Sequence, residues 1–152
     1  MALLGKSGAS GGLKPGFRDL RWGDPPKPTM EVLDEQGPEK FCYIPNDDKT
    51  WGESSVDKIV YQFWNNRFSD VVLEIPTSSA DRVLKDLNDG WGKPQQPNQF
   101  IEDFVWRNKA LGPDATEGLY TRNPSTRAAT LTIRSVYVQA KKNLERPKPK
   151  PR

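Results

Sequence analysis

The sequence predicts an α+β domain, in which a single antiparallel sheet of about five to six strands carries one main helix packed on one face. Three observations predict this class. Short β-rich segments separated by turn residues occupy most of the chain. Residues 77–90 form the one long stretch with the apolar spacing of an amphipathic helix. Strands and helices do not alternate along the chain, so nothing supports a parallel sheet.

The chain has 152 residues, which is long enough for one domain with a hydrophobic core and too short for two ordinary domains. Residues 1–16 are rich in glycine and serine and are predicted to form a flexible arm. Residues 17–140 are predicted to form the single α+β domain. Residues 141–152 contain alternate prolines and are predicted to form an extended basic tail.

The positive charge of the chain is concentrated at its two ends. The net formal charge is +3, but residues 141–152 carry six basic side chains against one acidic side chain. Residues 23–140 carry a net charge of −5. The body is therefore mildly acidic. A basic tail suits either a solvated terminus or contact with nucleic acid, an anionic lipid surface or an acidic partner.

The amino-acid composition excludes several classes of functional site. The absence of histidine excludes a histidine-containing catalytic triad and a histidine-ligated metal. The single cysteine excludes an intrachain disulfide and a cysteine-cluster zinc site. No apolar run is long enough to predict a membrane-spanning helix. We therefore expect a protein that is not an enzyme and that has no catalytic, cofactor-binding or metal-binding residues.

The N-terminal residues lack the apolar core of a secretory signal peptide. The sequence as written therefore predicts a cytoplasmic protein. A periplasmic location is the alternative if a leader has been removed.

The first third of the chain is predicted to contain two short strands and one helical turn. Residues 17–23 are predicted to form the first strand and its turn. Residues 29–33 are predicted to form the helical turn, because Thr29 can cap it and Glu31 lies early in it. Residues 41–44 are predicted to form the second strand, which ends at Pro45.

Residues 56–75 predict a β-hairpin, because two β-rich runs flank Asn65 and Asn66. A two-residue loop at these asparagines would place the apolar side chains of the first strand beside Phe68 and Asp70. A three-residue loop with a bulge gives one continuous apolar face, so we expect this register, with Asn66 in the left-handed region. That face would contain Ile59, Tyr61, Phe63, Val71, Leu73 and Ile75.

The main helix is predicted to open at residues 77–79, with Ser78 as its N-cap, and to stop at Gly90. Its apolar stripe consists of Ala80, Val83, Leu84 and Leu87. Three further strands are predicted at residues 100–107, 117–122 and 127–139.

Four segments of the chain together resemble a family of small bacterial domains that are common in environmental Gram-negative bacteria. They are FRDLRWG at residues 17–23, YQFWNNRF at 61–68, GKP at 92–94 and PNQFIEDFVW at 97–106. That family begins with an FRxxxWG-type segment and continues through an aromatic hairpin to a helix that ends in a GxP turn. The resemblance extends over residues 17–138 and implies a shared fold without an established activity. Members often carry an export signal, which this sequence does not show.

Two groups of residues are candidates for binding a partner. The first lies on the hairpin, where the expected register leaves Trp64, Arg67 and Phe68 exposed. The second is the basic tail, with Lys141, Lys142, Arg146, Lys148, Lys150 and Arg152. A protein partner or a larger assembly is expected to bind these residues. Nucleic acid bound through the tail is the alternative.

Other conspicuous residues have a structural explanation, and for the three Trp-Gly pairs a binding role stands beside it. Trp22, Trp51 and Trp91 each precede a glycine; they suit either a ligand-stacking platform or plugs at the ends of the sheet, with the glycines making turns. Cys42 is expected to be a small core residue. The carboxylates are expected to lie on a solvated surface.

These observations lead to the hypothesis of a non-enzymatic protein-interaction module, which would be a small accessory subunit of a larger bacterial assembly. The alternative hypothesis is a nucleic-acid-associated protein that binds through the basic C-terminal tail. The first hypothesis depends on edge strands, exposed aromatic residues and two extendable ends, in a chain that has no histidine and a single cysteine for catalysis.

Overall fold

The computed structural model describes residues 8–145. This part of the chain contains eleven strands, two α-helices and one 3₁₀ turn. The strands are β1 Gly16–Phe17, β2 Leu20–Arg21, β3 Glu31–Gln36, β4 Glu39–Tyr43, β5 Thr50–Trp51, β6 Ser54–Ser55, β7 Lys58–Trp64, β8 Arg67–Ile75, β9 Asp103–Arg107, β10 Thr116–Arg122 and β11 Ala129–Ser135. The helices are α1 Thr77–Trp91 and α2 Val136–Glu145, and the 3₁₀ turn is Gly112–Asp114.

Seven of these strands form one sheet in the order β3-β4-β7-β8-β11-β10-β9, and every neighbouring pair is antiparallel. The remaining strands form two separate pairs, β1 with β2 and β5 with β6. The predicted α+β class with an antiparallel sheet is confirmed. The sheet is larger than the predicted five to six strands, and a second helix is present.

Strand β3 is one reason for the larger sheet. The prediction of a helical turn at residues 29–33 is wrong, because Glu31–Gln36 forms an edge strand that pairs with β4. Gly37 has a φ of 60°, which allows the tight turn between the two strands. Every side chain of β3 is exposed, so the strand lacks the apolar alternation by which strands are recognised in sequence.

The core lies on one face of the seven-stranded sheet, here called the inner face. Val71 and Leu73 on β8 pair with Ile133 and Leu131 on β11, and all four side chains are buried on this face. Helix α1 packs against it with Ala80, Val83 and Leu87 buried, as predicted. The hydroxyl of Tyr120 on β10 donates a hydrogen bond to the carbonyl oxygen of Ala80 at 3.0 Å, which fixes the helix on the sheet.

Residues 8–16, the described part of the predicted flexible arm, pack against α1. Ala9 is completely buried, and its backbone N–H donates to the carboxylate of Asp86 at 3.0 Å. A Cβ atom added at Gly90 would lie 2.1 Å from the carbonyl oxygen of Ala9. The helix therefore needs glycine at residue 90 to admit the arm. This part of the arm belongs to the packed body, and residues 1–7 lie outside the described residues.

The predicted ends of α1 are wrong by one or two residues. The helix begins at Thr77 after Pro76, and no side chain caps its first turn, so Ser78 is not the N-cap. It continues through Gly90 to Trp91 and ends at Gly92, whose φ is 88°. Gly90 serves close packing against Ala9 rather than termination of the helix.

The hairpin has the predicted apolar face but a different turn. Tyr61 pairs with Val71 and Ile59 pairs with Leu73, so the expected side chains share the inner face. The turn is a two-residue loop in which both Asn65 and Asn66 have positive φ, at 51° and 61°. The register shifts further along the strands, where Ser69 has no partner in the ladder. This bulge, rather than a three-residue loop, restores the apolar face.

Tyr120 makes the stability of the core depend on alkaline pH, because burial raises the pKa of its phenol to about 12 from the ordinary value of 10.0. The folded state favours the neutral phenol, so this contribution to stability is complete below pH 10 and is lost as pH rises towards 12. We expect the urea midpoint of the wild type to fall over this range more steeply than that of Tyr120→Phe. Chemical denaturation at a series of alkaline pH values measures it, and parallel profiles for the two proteins would contradict it.

Candidate functional site

The hairpin tip places Trp64 directly opposite Arg67 in the ladder. The two residues flank the two-residue turn, and Trp64 points away from the inner face because its neighbour Phe63 is buried there. Arg67 is exposed, as predicted. Trp64 is only 8% exposed, so the prediction of an exposed indole is wrong. Lys141, Leu144 and Glu145 of α2 line a groove beside it, in a stretch where the sequence pattern predicts an extended tail rather than a helix.

Phe68 is also not exposed. It pairs with Phe63 and is completely buried on the inner face. Its ring stacks on Trp22, with the ring centroids 5.0 Å apart. The bulge at Ser69 is the cause, because it gives Phe63 and Phe68 the same face while keeping Val71 on that face. Phe68 is therefore a core residue rather than a contact for a partner.

Helix α2 replaces the end of the predicted strand 127–139 and the start of the predicted extended tail. The strand β11 ends at Ser135, and the Ser135 hydroxyl accepts a hydrogen bond from the backbone N–H of Val138 at 3.1 Å. This is the geometry of a serine N-cap, which satisfies an otherwise unpaired N–H of the first helical turn. The helix then extends to Glu145, the last described residue.

Polar side chains attach α2 to the outer face of the sheet, opposite the core. Lys142 is 7% exposed, and its ammonium lies 3.2 Å from the carboxylate of Asp70 and 3.0 Å from that of Glu39. Its Nζ also donates to the hydroxyl of Ser69 at 3.4 Å. The side-chain amide of Gln139 donates to the second oxygen of Asp70 at 2.8 Å. These contacts between α2 and the sheet are therefore polar.

The opposite side of α2 is apolar and faces solvent. Val136, Tyr137 and Leu144 are exposed, with Leu144 at 85% and Tyr137 at 42%. Their spacing places all three within one arc of the helix. The ammonium of Lys141 lies over the Tyr137 ring, 4.5 Å from its centroid, so a cation borders this apolar stripe.

A groove of about 400 Å³ lies between the hairpin tip and the end of α2. It is lined by Trp64, Asn65, Arg67, Lys141, Leu144 and Glu145. We call the groove and the adjoining apolar stripe the α2–hairpin surface, defined by Trp64, Arg67, Tyr137, Lys141 and Leu144. It combines an aromatic wall, an exposed aliphatic side chain and two cations. Such a surface offers apolar contact and attraction for negative charge.

The structure brings together three of the predicted partner-binding residues, Trp64, Arg67 and Lys141. Two other predicted residues are not part of this group. Phe68 lies in the core, and the ammonium of Lys142 is occupied by Asp70 and Glu39. The other four predicted tail residues lie outside the described residues; they are Arg146, Lys148, Lys150 and Arg152.

The glycines that follow Trp22, Trp51 and Trp91 all have positive φ, at 93°, 58° and 88°. This is what the turn explanation of the Trp-Gly pairs requires. Trp51 is buried, and the other two tryptophans are partly buried. The indole N–H of Trp22 donates to the hydroxyl of Thr116 at 2.8 Å, which ties the N-terminal segment to β10.

Cys42 is buried in β4, as expected of a core residue, and burial raises the pKa of its thiol. Glu117 departs from the expected solvated surface, because it is buried on the outer face between Arg107 and Arg134. Burial alone would raise the pKa of Glu117, but the hydrogen bonds from the two guanidinium groups outweigh it and hold the pKa below its usual value. This carboxylate is a structural ion-pair partner rather than a proton donor.

Within residues 8–145, no group of three or more acidic or cysteine side chains has the arrangement of a metal site. Neither helix of this part of the chain is long and apolar enough to cross a membrane.

Comparison with known proteins gives no match: no family model matches the chain, and neither does any curated protein or solved structure. The resemblance of residues 17–138 to small bacterial domains therefore stays a prediction, and the α2–hairpin surface has to be interpreted from its own chemistry.

Proposed function

We propose that this protein is a non-enzymatic protein-interaction module whose docking surface is the α2–hairpin surface, and that it serves as an accessory subunit of a larger bacterial assembly. The observation that supports the proposal is the orientation of α2. An amphipathic helix normally buries its apolar stripe and exposes its polar side chains. Here Lys142 and Gln139 face the sheet, while Tyr137 and Leu144 face solvent.

This orientation has an energetic consequence. The ion pairs of Lys142 hold the helix in place, so the apolar stripe contributes little to folding while it stays in water. Covering a side chain such as leucine or tyrosine stabilises a complex by about 1.5–3 kcal/mol when burial is complete. The stripe therefore has binding energy available for a partner, and the neighbouring groove supplies the shape that selects it.

The charges of the surface favour an acidic protein segment that carries apolar side chains. The groove is lined by two cations, Arg67 and Lys141, and by only one carboxylate, that of Glu145. The chain continues directly from this point into residues 146–152, which contain four basic side chains and no acidic one. A partner of opposite charge would be attracted to this end of the molecule, and its apolar side chains would then pack on Tyr137 and Leu144.

The test is the size of the native particle that contains the chain. We expect the wild type, followed by mass spectrometry through size-exclusion chromatography of native lysate, to elute well above the mass of one chain. The double variant Tyr137→Ser/Leu144→Ser should shift to the position of the free chain, because it removes the apolar contact and leaves the anchoring residue Lys142 unchanged.

The matched control is Phe100→Ser. Phe100 is 87% exposed, close to the exposure of Leu144, but it lies in the loop before β9. Its replacement should leave the elution of the complex unchanged. Elution of the wild type as a free chain even after crosslinking would contradict the proposal, as would equal effects of the control and of the double variant.

Nucleic acid is the alternative occupant, and the position of Lys142 weakens it. The ammonium of Lys142 is occupied by two carboxylates, so it adds nothing to a phosphate-binding cluster. Binding of a single-stranded oligonucleotide that weakens steeply with salt, and that disappears on deletion of residues 146–152, would support this alternative instead.

A further inference from the structure

The outer face of the sheet carries apolar side chains near its β3 edge. Phe41 and Tyr43 flank the buried Cys42 in β4, so their rings lie on the outer face. Val60 lies on the same face of β7, because its neighbours in the strand are buried in the core. All three side chains are partly exposed. We call Phe41, Tyr43 and Val60 the outer aromatic strip; it shares no residue with the α2–hairpin surface.

Two carboxylates border this strip on the edge strand β3. Glu31 pairs with Tyr43 in the ladder and Asp34 pairs with Phe41, and both acidic side chains are exposed. They accept hydrogen bonds from uncharged groups, the Tyr43 hydroxyl for Glu31 and the backbone N–H of Glu35 for Asp34. Among residues 8–145, neither carboxylate forms an ion pair with a basic side chain. The margin of the strip is therefore negatively charged and has no counter-charge in this part of the chain.

Helix α2 delivers the chain to one end of the strip. The ammonium of Lys142 lies 3.0 Å from the carboxylate of Glu39, the first residue of β4, and the helix ends at Glu145. Tyr43 is four residues further along the same strand, at a distance of about 13 Å from Glu39. Residues 146–152 span about 22 Å when extended at about 3.1 Å per residue. They are therefore long enough to reach every residue of the strip.

The composition of residues 146–152 complements the strip. This segment contains three prolines and four basic side chains, and no acidic one. Proline-rich segments pack their rings on aromatic side chains, and the cations match the unpaired carboxylates of Glu31 and Asp34. Because the segment is joined to α2, its effective concentration at the strip is in the millimolar range, so even weak contacts become populated.

We propose that the outer aromatic strip is the docking site of residues 146–152 of the same chain. The prolines of this segment pack on the rings of Phe41 and Tyr43, and its basic side chains lie at the carboxylates of Glu31 and Asp34. The contact covers apolar side chains that the rest of the fold leaves partly exposed. It is additional to the docking of a protein partner on the α2–hairpin surface and does not depend on it.

Nuclear Overhauser spectra of the full chain test the contact directly. At low salt we expect cross-peaks between the ring protons of the three prolines and the aromatic protons of Phe41 and Tyr43. A rise in salt to about 0.5 M should weaken these cross-peaks, because it screens the charges that hold the segment. Absence of the cross-peaks at low salt would overturn the proposal. Cross-peaks from the prolines to Trp64 or Tyr137 instead would overturn it as well, since they would place the segment on the α2–hairpin surface.

The double variant Glu31→Gln/Asp34→Asn removes the two charges but keeps an oxygen acceptor at each position. It should reduce the intensity of the proline cross-peaks about twofold, the effect expected for the loss of two exposed ion pairs. The matched control is Glu53→Gln/Asp89→Asn, which changes the net charge equally. Both of its residues are exposed and lie on the inner side of the sheet, in the turn between β5 and β6 and on α1. Equal intensities in the two variants would overturn the role of the carboxylates.

The same segment of a second copy is the other conceivable occupant of the strip. A mixture of isotope-labelled and unlabelled chains distinguishes the two, because filtered spectra separate contacts within one chain from contacts between chains. Proline cross-peaks that arise within the labelled chain, with an intensity independent of protein concentration, support the proposal. Cross-peaks that join a labelled chain to an unlabelled one would show that the strip binds the segment of another molecule, and the proposal would be overturned.

Discussion

Gly118→Ala is expected to lower the free energy of unfolding by about 3 kcal/mol, a large effect for the addition of one methyl group. Gly118 lies in the middle of β10, between Trp106 on β9 and Ile133 on β11. A Cβ atom at this position would be 2.4 Å from Cζ3 of Trp91, closer than real side chains approach each other. The six-membered ring of this indole lies directly over the glycine, so the methyl group has to displace it.

The displacement has a high cost because Trp91 contacts two other indoles. Its ring lies 5.7 Å from that of Trp51 and 5.5 Å from that of Trp106, both in edge-to-face geometry. Such pairs contribute about 0.5–1.5 kcal/mol each beyond the area that they bury. Urea denaturation measures the loss. Gly8→Ala is the matched control, because its added Cβ would make only ordinary contacts, the nearest at 3.5 Å.

A double-mutant cycle with Trp91→Leu attributes the effect to the indole. The shorter leucine leaves room for the methyl group, so Gly118→Ala should destabilise the Trp91→Leu protein much less than the wild type. Strictly additive losses would show that the methyl group disturbs the strand itself rather than its contact with Trp91.

The parts of the fold that could be predicted are those in which the apolar residues of the local sequence pattern are also the ones buried in the core. Alternation of apolar residues placed Tyr61, Val71 and Leu73 on one face, and the apolar stripe of α1 was predicted at the correct spacing. The turn between β7 and β8 was predicted with the wrong length. The compensating bulge at Ser69 lies several residues away, and either arrangement gives the same apolar face.

The edge strand β3 and the arm could not be predicted for a different reason. Their local sequences carry no apolar periodicity, and both are fixed by tertiary contacts. Residues 31–36 become a strand because β4 offers them an unpaired edge. Residues 8–16 are held because Gly90 leaves space for Ala9. Neither contact can be inferred from residues near it in the sequence.

The α2–hairpin surface was predicted only in part, because it depends on α2. Trp64, Arg67 and Lys141 were predicted as candidates, but nothing in the sequence placed residue 141 beside the hairpin tip. The helix turns its apolar side outward because a lysine, an unusual residue to bury, finds two carboxylates on the sheet. A pattern-based prediction assigns apolar side chains to the interior and therefore misses this helix.

Lys142→Met is expected to lower the free energy of unfolding by about 3 kcal/mol, because breaking a buried ion pair leaves an uncompensated charge. Methionine keeps the length of the side chain but removes the ammonium. Asp70 is 6% exposed and would retain only the hydrogen bond from Gln139. Glu39, which is partly exposed, would lose its partner at less cost. Denaturation in urea measures the loss of stability.

Two comparisons separate the ion pair from simple loss of packing. Lys141→Met changes the neighbouring lysine, which borders Tyr137 at the surface, and should alter stability by less than about 0.5 kcal/mol. In the double variant Asp70→Asn/Lys142→Met no buried charge remains unpaired at Asp70, so part of the lost stability should return. Since Lys142 anchors α2, the single variant should also expose residues 136–145 to limited proteolysis under native conditions. Resistance to cleavage equal to that of the wild type would mean that the helix is held by other contacts, and the apolar stripe could then not be treated as a surface positioned by its polar side.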